Sequence, residues 1–283
     1  MEFLFTLLNG LSQGAIYALI ALGYTMVYGI AKLLNFAHGD IIMVGAYAIV
    51  VTVGVSVHPL IAMLIAVVIC VILGIVIERL AYKPLRGSSP LAVLITAIGV
   101  SYLLQSLAFI IFGSKPKMIN WFENLDSNAI TLITLGFAAL IMVVLTLFIK
   151  FTKMGKAMLA VSEDRKTASL MGINHNFVII VTFAIGSALA AVAGIFYLME
   201  IPSVTYTMGS MPGIKAFTAA VIGGIGSIPG AMLGGILLGV IESICNSVPG
   251  MSNFTIAIEF VILIIILLVK PSGILGKNKR EKV

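Results

Sequence analysis

Residues 41–77 read IIMVGAYAIVVTVGVSVHPLIAMLIAVVICVILGIVI, a run of 37 residues without one charged side chain. A helix of about 20 apolar residues crosses the roughly 30 Å of hydrocarbon in a bilayer. The run is therefore long enough for two crossings, and His58-Pro59 is the natural turn between them. This stretch alone indicates an integral membrane protein.

The remainder of the chain has the same character. Of its 283 residues, 60% are hydrophobic and 10% are charged, whereas a soluble domain carries about 25% charged residues. Further uncharged runs occupy residues 3–31, 87–114, 127–149, 167–199, 216–241, 243–258 and 260–269. This composition excludes a soluble enzyme, a secreted disulfide-bonded domain and a disordered chain.

Nine hydrophobic segments follow from these runs. They cover residues 5–30, 40–57, 60–80, 91–112, 130–150, 175–199, 213–224, 228–245 and 253–270. Segment 213–224 is too short to cross a bilayer alone. We therefore predict an all-α polytopic membrane protein, one transmembrane domain over residues 1–283, with about eight transmembrane helices plus one broken or half helix.

The distribution of lysine and arginine predicts the orientation. Placing the C-terminus inside and alternating backwards puts 14 of the 17 basic residues in the cytoplasm, where loops retain positive charge. The N-terminus is then outside, provided that segment 213–224 completes a crossing; if it only re-enters, the N-terminus lies inside. Residues 271–283 become a basic cytoplasmic tail.

Two polar interruptions break the hydrophobic pattern. The first is residues 35–40, NFAHGD, and the second runs from Pro202 through the short segment with Lys215 to residues 223–230, GGIGSIPG. Irregular backbone within a membrane is tolerated where it is buried in protein or lines a wet cavity. Broken segments in corresponding places of two halves are typical of a transporter's substrate site. The pattern favours transport and is compatible with an inverted repeat, although the sequence shows no repeat that proves one.

Ionisable side chains inside a bilayer are costly and often functional. The candidates are His38, Asp40, Lys215, Glu242 and Glu259. Glu242 is a candidate partner of Lys215. For His38 and Asp40 the alternative is an ordinary helix N-terminus, and for Glu259 it is a structural hydrogen bond.

Three glycine pairs have the spacing that lets helix backbones approach closely. They are Gly10 and Gly14, Gly230 and Gly234, and Gly235 and Gly239. Small residues four apart are typical of tight helix packing in membranes. We expect them to lie at helix–helix contacts.

Residues 151–174 differ from the other loops because they are amphipathic and helix-forming. Met158, Val161, Arg165 and Ala168 share one face at helical spacing. We expect Ser162 to cap a short helix here, and Gly172 to end it. Such a segment suits docking to a soluble partner; the alternative is a helix lying on the membrane surface.

Four ordered stretches carry a resemblance to a known family. They are residues 35–39 (NFAHG), residues 158–165 with 170–173 (MLAVSEDR and LMGI), residues 215–226 (KAFTAAVIGGIG) and residues 270–276 (KPSGILG). The chain resembles the permease subunits of branched-chain amino-acid ABC importers, of the Liv-type H class.

The resemblance implies a set of partners and a location. An extracytoplasmic solute-binding protein would deliver leucine, isoleucine or valine to this permease, paired with a second related permease. Two ATP-binding cassette subunits would hold the ATP, so this chain would bind no cofactor, no metal and no nucleic acid and would not be an enzyme. The location would be the bacterial inner membrane. The shared motifs do not separate these substrates from other amino acids, urea or amides.

The resemblance also implies roles for particular residues. Substrate-pathway candidates are Asn35, Phe36, His38, Gly39, Asp40, Lys215, Phe217, Gly223, Gly224 and Gly226. Candidates for coupling to the ATPase are Met158, Glu163, Asp164, Arg165, Ala168, Leu170 and Gly172. Residues 166–172 occupy the place of the importer E-A-A-x-x-x-G loop, with lysine and threonine replacing the first two residues.

Two rival interpretations remain at the level of sequence. One is an ion-coupled secondary transporter, in which Asp40, Glu242 and Glu259 would be proton or sodium sites; the other is a passive channel. An enzyme is disfavoured because no catalytic constellation is present and the three histidines, His38, His58 and His175, lack metal-ligand spacing.

Overall fold

The computed structural model describes residues 2–119 and 127–276, and this part of the chain is an α-helical bundle. The helices are α1 (Glu2–Ala31), α2 (His38–Gly54), α3 (Pro59–Ile77), α4 (Pro90–Phe112), α5 (Ser127–Phe151), α6 (Lys153–Glu163), α7 (Arg165–Leu170), α8 (His175–Glu200), α9 (Ser210–Gly223), α10 (Ile228–Ser247) and α11 (Thr255–Val269). A π-helical turn, Glu78–Tyr82, extends α3, and a 3₁₀ turn, Ser252–Phe254, precedes α11. The two-residue strands β1 (Lys117–Met118) and β2 (Ser203–Val204) pair antiparallel.

The all-α polytopic fold class is confirmed. Seven helices in the described ranges are long and apolar enough to cross a membrane, namely α1, α3, α4, α5, α8, α10 and α11. Helix α9 is short, as predicted for segment 213–224. Helix α2 is also short, with 17 residues, although segment 40–57 was counted as a full crossing. The helix begins two residues before the predicted segment but ends three residues before its end, because the chain turns at Val55 and Ser56, where Ser56 has φ +60°.

Proline and a preceding polar residue start three of the long helices. Pro59, Pro90 and Pro229 occupy the first turns of α3, α4 and α10, where a missing N–H does no harm. The side chain of the residue before the helix caps each one, and for α3 this is His58, which confirms the turn predicted at His58-Pro59. A polar capping residue followed by proline therefore fixes where each of these three helices begins.

Helix α1 lies at the centre and is buried along almost all of its length against α10, α8, α9 and α5. A Cβ atom on Gly14 would come within 2.7 Å of the Ile236 Cα on α10, and one on Gly10 within 2.8 Å of the Val240 Cα. Gly235 and Gly239 face the same contact from α10. The predicted close packing of these two glycine pairs is confirmed.

The third glycine pair packs against the half helix. Gly230 and Gly234 on α10 meet the backbone of Gly223 and Ala219 on α9, which leaves no room for a Cβ. Helix α10 therefore uses one glycine pair for α1 and another for α9. It holds the short helix firmly against the central one.

The segment after α11 returns to the end of α9. The N–H groups of Ile274 and Leu275 donate to the Ile222 and Gly223 carbonyls, at 2.8 and 2.9 Å. Gly224, at φ +105°, makes the turn that exposes these carbonyls. The KPSGILG stretch is therefore a backbone cap for α9. The predicted basic tail lies outside the described residues from 277 onwards.

Candidate functional site

The two short helices meet by their N-terminal ends. Gly39 in the first turn of α2 lies directly against Gly209 and Gly213 at the start of α9. A Cβ atom on Gly39 would come within 3.1 Å of the Gly213 Cα and would overlap the Gly209 carbonyl. Only glycine permits this approach. Because the N-terminus of a helix carries a partial positive charge, two such ends converge at one place.

Neither helix is capped by its own N-cap side chain, because those residues are Ala37 and Gly209. The Tyr24 hydroxyl on α1 lies at this junction, 3.5 Å from the position that a Cβ atom on Gly213 would take. The Tyr24 ring also packs edge-on against His38, with ring centroids 4.7 Å apart, and against Phe217 at 5.9 Å. The central helix thus supports the junction from behind.

A cavity of about 210 Å³ opens beside this junction. Its lining combines apolar and polar side chains from α2, α4 and α9 and from the NFAHGD segment. The lining residues are Phe36, Asp40, Ile98, Ser101, Tyr102, Gln105, Ser210 and Ile214.

Gln105 connects the polar residues of this cavity. Its side-chain nitrogen lies 2.9 Å from Asp40 Oδ1 and 3.1 Å from the hydroxyls of Ser101 and Ser210. An amide nitrogen has only two hydrogens. At least one of the three oxygens therefore keeps unused hydrogen-bonding capacity for a ligand.

The structure brings some predicted pathway residues to the cavity and places others nearby. Phe36 and Asp40 line it, Gly39 forms the junction, and Phe217 packs on Phe36 at 5.3 Å between ring centroids. Asn35 is buried and accepts a hydrogen bond from the Tyr82 hydroxyl at 2.9 Å.

His38 points away from the cavity. It is buried between Tyr24, Gly23 and Gly186, and its Nε2 atom has no hydrogen-bond partner among the described residues. This position anchors the first turn of α2 to the central helix. Its predicted place in the substrate pathway is not supported by contact with the cavity and stays a prediction.

Lys215 belongs to a separate cluster on the opposite side of α9. Its ammonium lies 2.6 Å from Glu242 Oε1 on α10 and 3.2 Å from Glu259 Oε1 on α11. The Tyr17 hydroxyl on α1 donates to Glu242 Oε2 at 2.8 Å. The predicted pairing of Lys215 with Glu242 is confirmed, and Glu259 joins the same cluster.

Gly223, Gly224 and Gly226 lie at the other end of α9 from the cavity. A helix of this length spans about 20 Å, with the cavity at its start and these glycines at its end. They form the tight turn toward α10 and the contact with the C-terminal cap. Their predicted role in the substrate pathway stays a prediction.

The predicted coupling segment forms two helices, α6 and α7, with one buried face. Met158, Val161 and Ala168 are buried in the core, and the Arg165 guanidinium donates to the Ala31 carbonyl at the end of α1. The shared face predicted for these residues is confirmed. The segment is therefore joined directly to the central helix.

The caps of this segment differ from the sequence prediction. Thr152 caps α6 and Asp164 caps α7, whereas Ser162 lies inside α6 and donates to the Leu159 carbonyl. The Ser162 cap was wrong because the helix starts ten residues earlier, after a sharp break with α5. Gly172 ends α7 at φ +81°, as expected.

The outward face of the segment is exposed. Leu170 and Met171 are 87% and 78% exposed, and Glu163 and Asp164 border an open groove of about 500 Å³ between α6 and α7. Hydrogen bonds from the Thr167 hydroxyl and from the Lys166 and Thr167 N–H groups lower the pKa of the Asp164 carboxyl. The surface thus presents large apolar side chains next to stable negative charge.

Several residues of the site were missed from sequence. Ser101, Tyr102, Gln105 and Ser210 line the cavity, and Tyr17 completes the charge cluster. Only ionisable residues were sought inside the hydrophobic segments. A glutamine within the apolar helix α4 was a usable signal, because polar amides in membrane helices need a partner.

Known proteins give a consistent comparison. The family described as branched-chain amino acid transport system, permease component, matches residues 6–269. The chain is 43% identical to the high-affinity branched-chain amino acid transport system permease protein LivH of Salmonella typhimurium, over all of this chain and 98% of the relative. It is also 43% identical, with the same coverage, to the corresponding protein BraD of Pseudomonas aeruginosa.

A solved structure shows a similar fold. PsaBC from Streptococcus pneumoniae, in complex with Fab, aligns with a TM-score of 0.51 at 15% identity, over 96% of this chain and 93% of that one. At this identity the likeness concerns the fold alone.

Proposed function

The chain belongs to the family of branched-chain amino acid transport permease components, and we propose that it is one membrane-spanning subunit of an ATP-driven importer for leucine, isoleucine and valine. The multi-pass membrane fold supports this proposal. Family membership favours ATP-driven import over the ion-coupled carrier and the channel that the sequence alone left open.

The observation that carries the proposed substrate site is the meeting of α2 and α9 beside a polar cavity. Two helix N-termini favour a carboxylate, such as the α-carboxylate of an amino acid. The Asp40 carboxylate is available for the α-ammonium, because its neighbours Gln105 and Ser101 are uncharged. Phe36, Ile98 and Ile214 offer apolar surface for a branched aliphatic side chain.

Transport in this proposal involves no covalent chemistry by this chain. ATP would bind to two partner subunits beneath the membrane, and the chain itself would hold no cofactor and have no catalytic residue. A second related permease would complete the pathway. An extracytoplasmic solute-binding protein would deliver the substrate.

The coupling segment supports a mechanical link to the ATPases. Its outward face carries exposed Leu170 and Met171, while its inward face contacts the end of α1 through Arg165. Helix α1 in turn packs on α9 and α10. A displacement of α6 and α7 by the ATPases would therefore reach the helix that flanks the cavity.

We place the chain in the bacterial inner membrane, with its N-terminus outside and its C-terminus in the cytoplasm. With α9 counted as a crossing, the nine membrane segments leave 14 of the 17 basic residues on the cytoplasmic side.

The test of the proposed function is purification of the chain from its native membrane, followed by mass spectrometry and reconstitution. Two ATPases and a second permease should co-purify, and vesicles should take up leucine only with ATP and the binding protein.

Leu170→Asp should reduce uptake severalfold and leave folding intact. Leu268→Ala is the control. Leu268 lies on α11 and is 78% exposed, so its truncation should leave transport normal. Recovery of the chain alone, with uptake driven by an ion gradient, would contradict the proposal.

A further inference from the structure

The cluster of Lys215, Glu242, Glu259 and Tyr17 is not explained by the proposed substrate site. All four side chains are buried, and they come from four helices, α9, α10, α11 and α1. None of them lines the cavity at the α2–α9 junction. The cluster is therefore separate from the proposed substrate site, and its role does not depend on which substrate is carried.

The charges in this cluster do not balance if both carboxyls are ionised. One ammonium faces two glutamates, which would leave one net negative charge buried within the bundle. An uncompensated buried charge costs several kcal/mol, and a group in that position neutralises instead. One bound proton would make the cluster neutral.

The geometry locates that proton. Glu242 accepts from two donors, the Lys215 ammonium at 2.6 Å and the Tyr17 hydroxyl at 2.8 Å, whereas the contact of Glu259 with the ammonium is longer, at 3.2 Å. The less well paired carboxyl gains most from being neutral, which places the proton on Glu259. A metal cation is disfavoured here, because the ammonium already occupies the centre of the cluster.

The surrounding groups add no further positive charge. Other titratable groups whose charges act on the cluster are Tyr197 and Glu200 on α8 and Cys245 on α10. Tyr17, from α1, donates its proton to Glu242 Oε2 and accepts a hydrogen bond from Gln13 at 3.3 Å. Glu200 is another acidic group, so it increases the need for a proton.

We propose that Glu259 binds one proton beside the Lys215–Glu242 pair, and that this proton holds the half helix α9 between α1, α10 and α11. Lys215 lies in the second turn of α9, just below the junction with α2. The protonated cluster thereby fixes the helix whose N-terminus borders the cavity. Loss of the proton would leave repelling carboxylates around α9 and loosen its position.

Infrared difference spectroscopy of the purified complex in lipid tests the proposal at neutral pH. The wild type should show a protonated carboxyl band that shifts in deuterated water. The band should be lost in both Glu242→Gln and Glu259→Gln, because each variant leaves one ionised carboxylate paired with Lys215. Glu78→Gln is the matched control, since Glu78 pairs with Arg86 and should contribute no protonated band. Absence of the band in the wild type, or its persistence in either cluster variant, would overturn the proposal.

The pH dependence of unfolding is a second measurement that does not rely on spectral assignment. The folded protein would hold a proton that the unfolded chain releases once the pH exceeds the ordinary glutamate pKa of about 4.3. Its thermal midpoint should therefore fall as pH rises from there through the pKa of the folded state, and Glu259→Gln should flatten that fall. An identical pH dependence in the wild type and in this variant would overturn the proton on Glu259.

Discussion

The two faces of α9 differ in how completely their polar groups are paired. On one face Lys215 is enclosed by two glutamates and a tyrosine, and each of the three charged side chains has a close partner from another helix. On the other face Ser210 borders a cavity in which Asp40 receives hydrogen bonds only from uncharged groups. The closed, paired cluster is suited to holding the helix, and the open, incompletely paired one is suited to binding a ligand.

The largest expected effect comes from removing the charge on the cavity face. Asp40→Asn keeps the shape of the side chain but cannot pair with an ammonium group. A hydrogen bond to a charged group contributes about 1.5–3 kcal/mol, so leucine uptake should fall about tenfold to a hundredfold. Uptake by vesicles that contain the complete transporter measures it. If Asp40→Asn took up leucine at the wild-type rate and at normal protein abundance, Asp40 would have a structural role only.

The next largest effect comes from forcing the two short helices apart. A Cβ atom on Gly39 would press on Gly209 and Gly213, so Gly39→Ala should destabilise the protein by about 1–3 kcal/mol. Gly99→Ala is the matched control, because a Cβ there meets nothing within 4 Å. That variant should be neutral or slightly stabilising. Thermal unfolding in lipid compares them, and equal midpoints would contradict the close junction.

A crossed pair of substitutions sharpens the comparison between the faces. Gln105→Leu removes the hydrogen bonds of the cavity face and should lower uptake about twofold to tenfold, with little change in stability. Tyr17→Phe removes a hydrogen bond to Glu242 and should lower stability by about 1 kcal/mol, with little change in uptake. Uptake and thermal midpoint are measured for both. If both variants moved the same quantity, the two faces would not have separate roles.

The smallest effect lies in the coupling segment, away from both faces. Its hydrogen bonds hold the pKa of the Asp164 carboxyl below that of the unfolded chain. The stabilisation is therefore present at neutral pH and is lost as pH falls through the folded pKa. Asp164→Asn should remove this acid sensitivity and shift the thermal midpoint only slightly. Equal midpoints for wild type and variant as the pH is lowered would show that the cap contributes nothing measurable.

The sequence predicted well those features that depend on local pattern. The hydrophobic runs placed the seven membrane-length helices of the described residues and the shorter helices α2 and α9, the glycine pairs predicted two close helix contacts, and the charges predicted the Lys215–Glu242 pair. The errors of the prediction were also local. Segment 40–57 was counted as a full crossing because its apolar run continues past Gly54, where helix α2 ends.

The site itself depends on contacts that no local pattern contains. Gly39 and Gly209 meet across about 170 residues of chain, and nothing in either segment specifies the other. Gln105 was missed because a neutral side chain in an apolar helix gives a weak signal, although it joins α4 to α2 and α9. His38 was expected in the pathway because it lies in the NFAHGD interruption at a helix N-terminus; its packing against Gly23 could not be read from that local pattern.

The most direct test of the account is substrate protection of a single position in the cavity. Ser210→Cys would be labelled with a thiol reagent in the reconstituted transporter, with Ser114→Cys, in the exposed loop after α4, as the control. With the binding protein and ATP present, leucine should slow labelling at position 210 and leave position 114 unchanged. Equal labelling of position 210 with and without leucine, in a variant that still transports, would contradict a substrate site at the junction of α2 and α9.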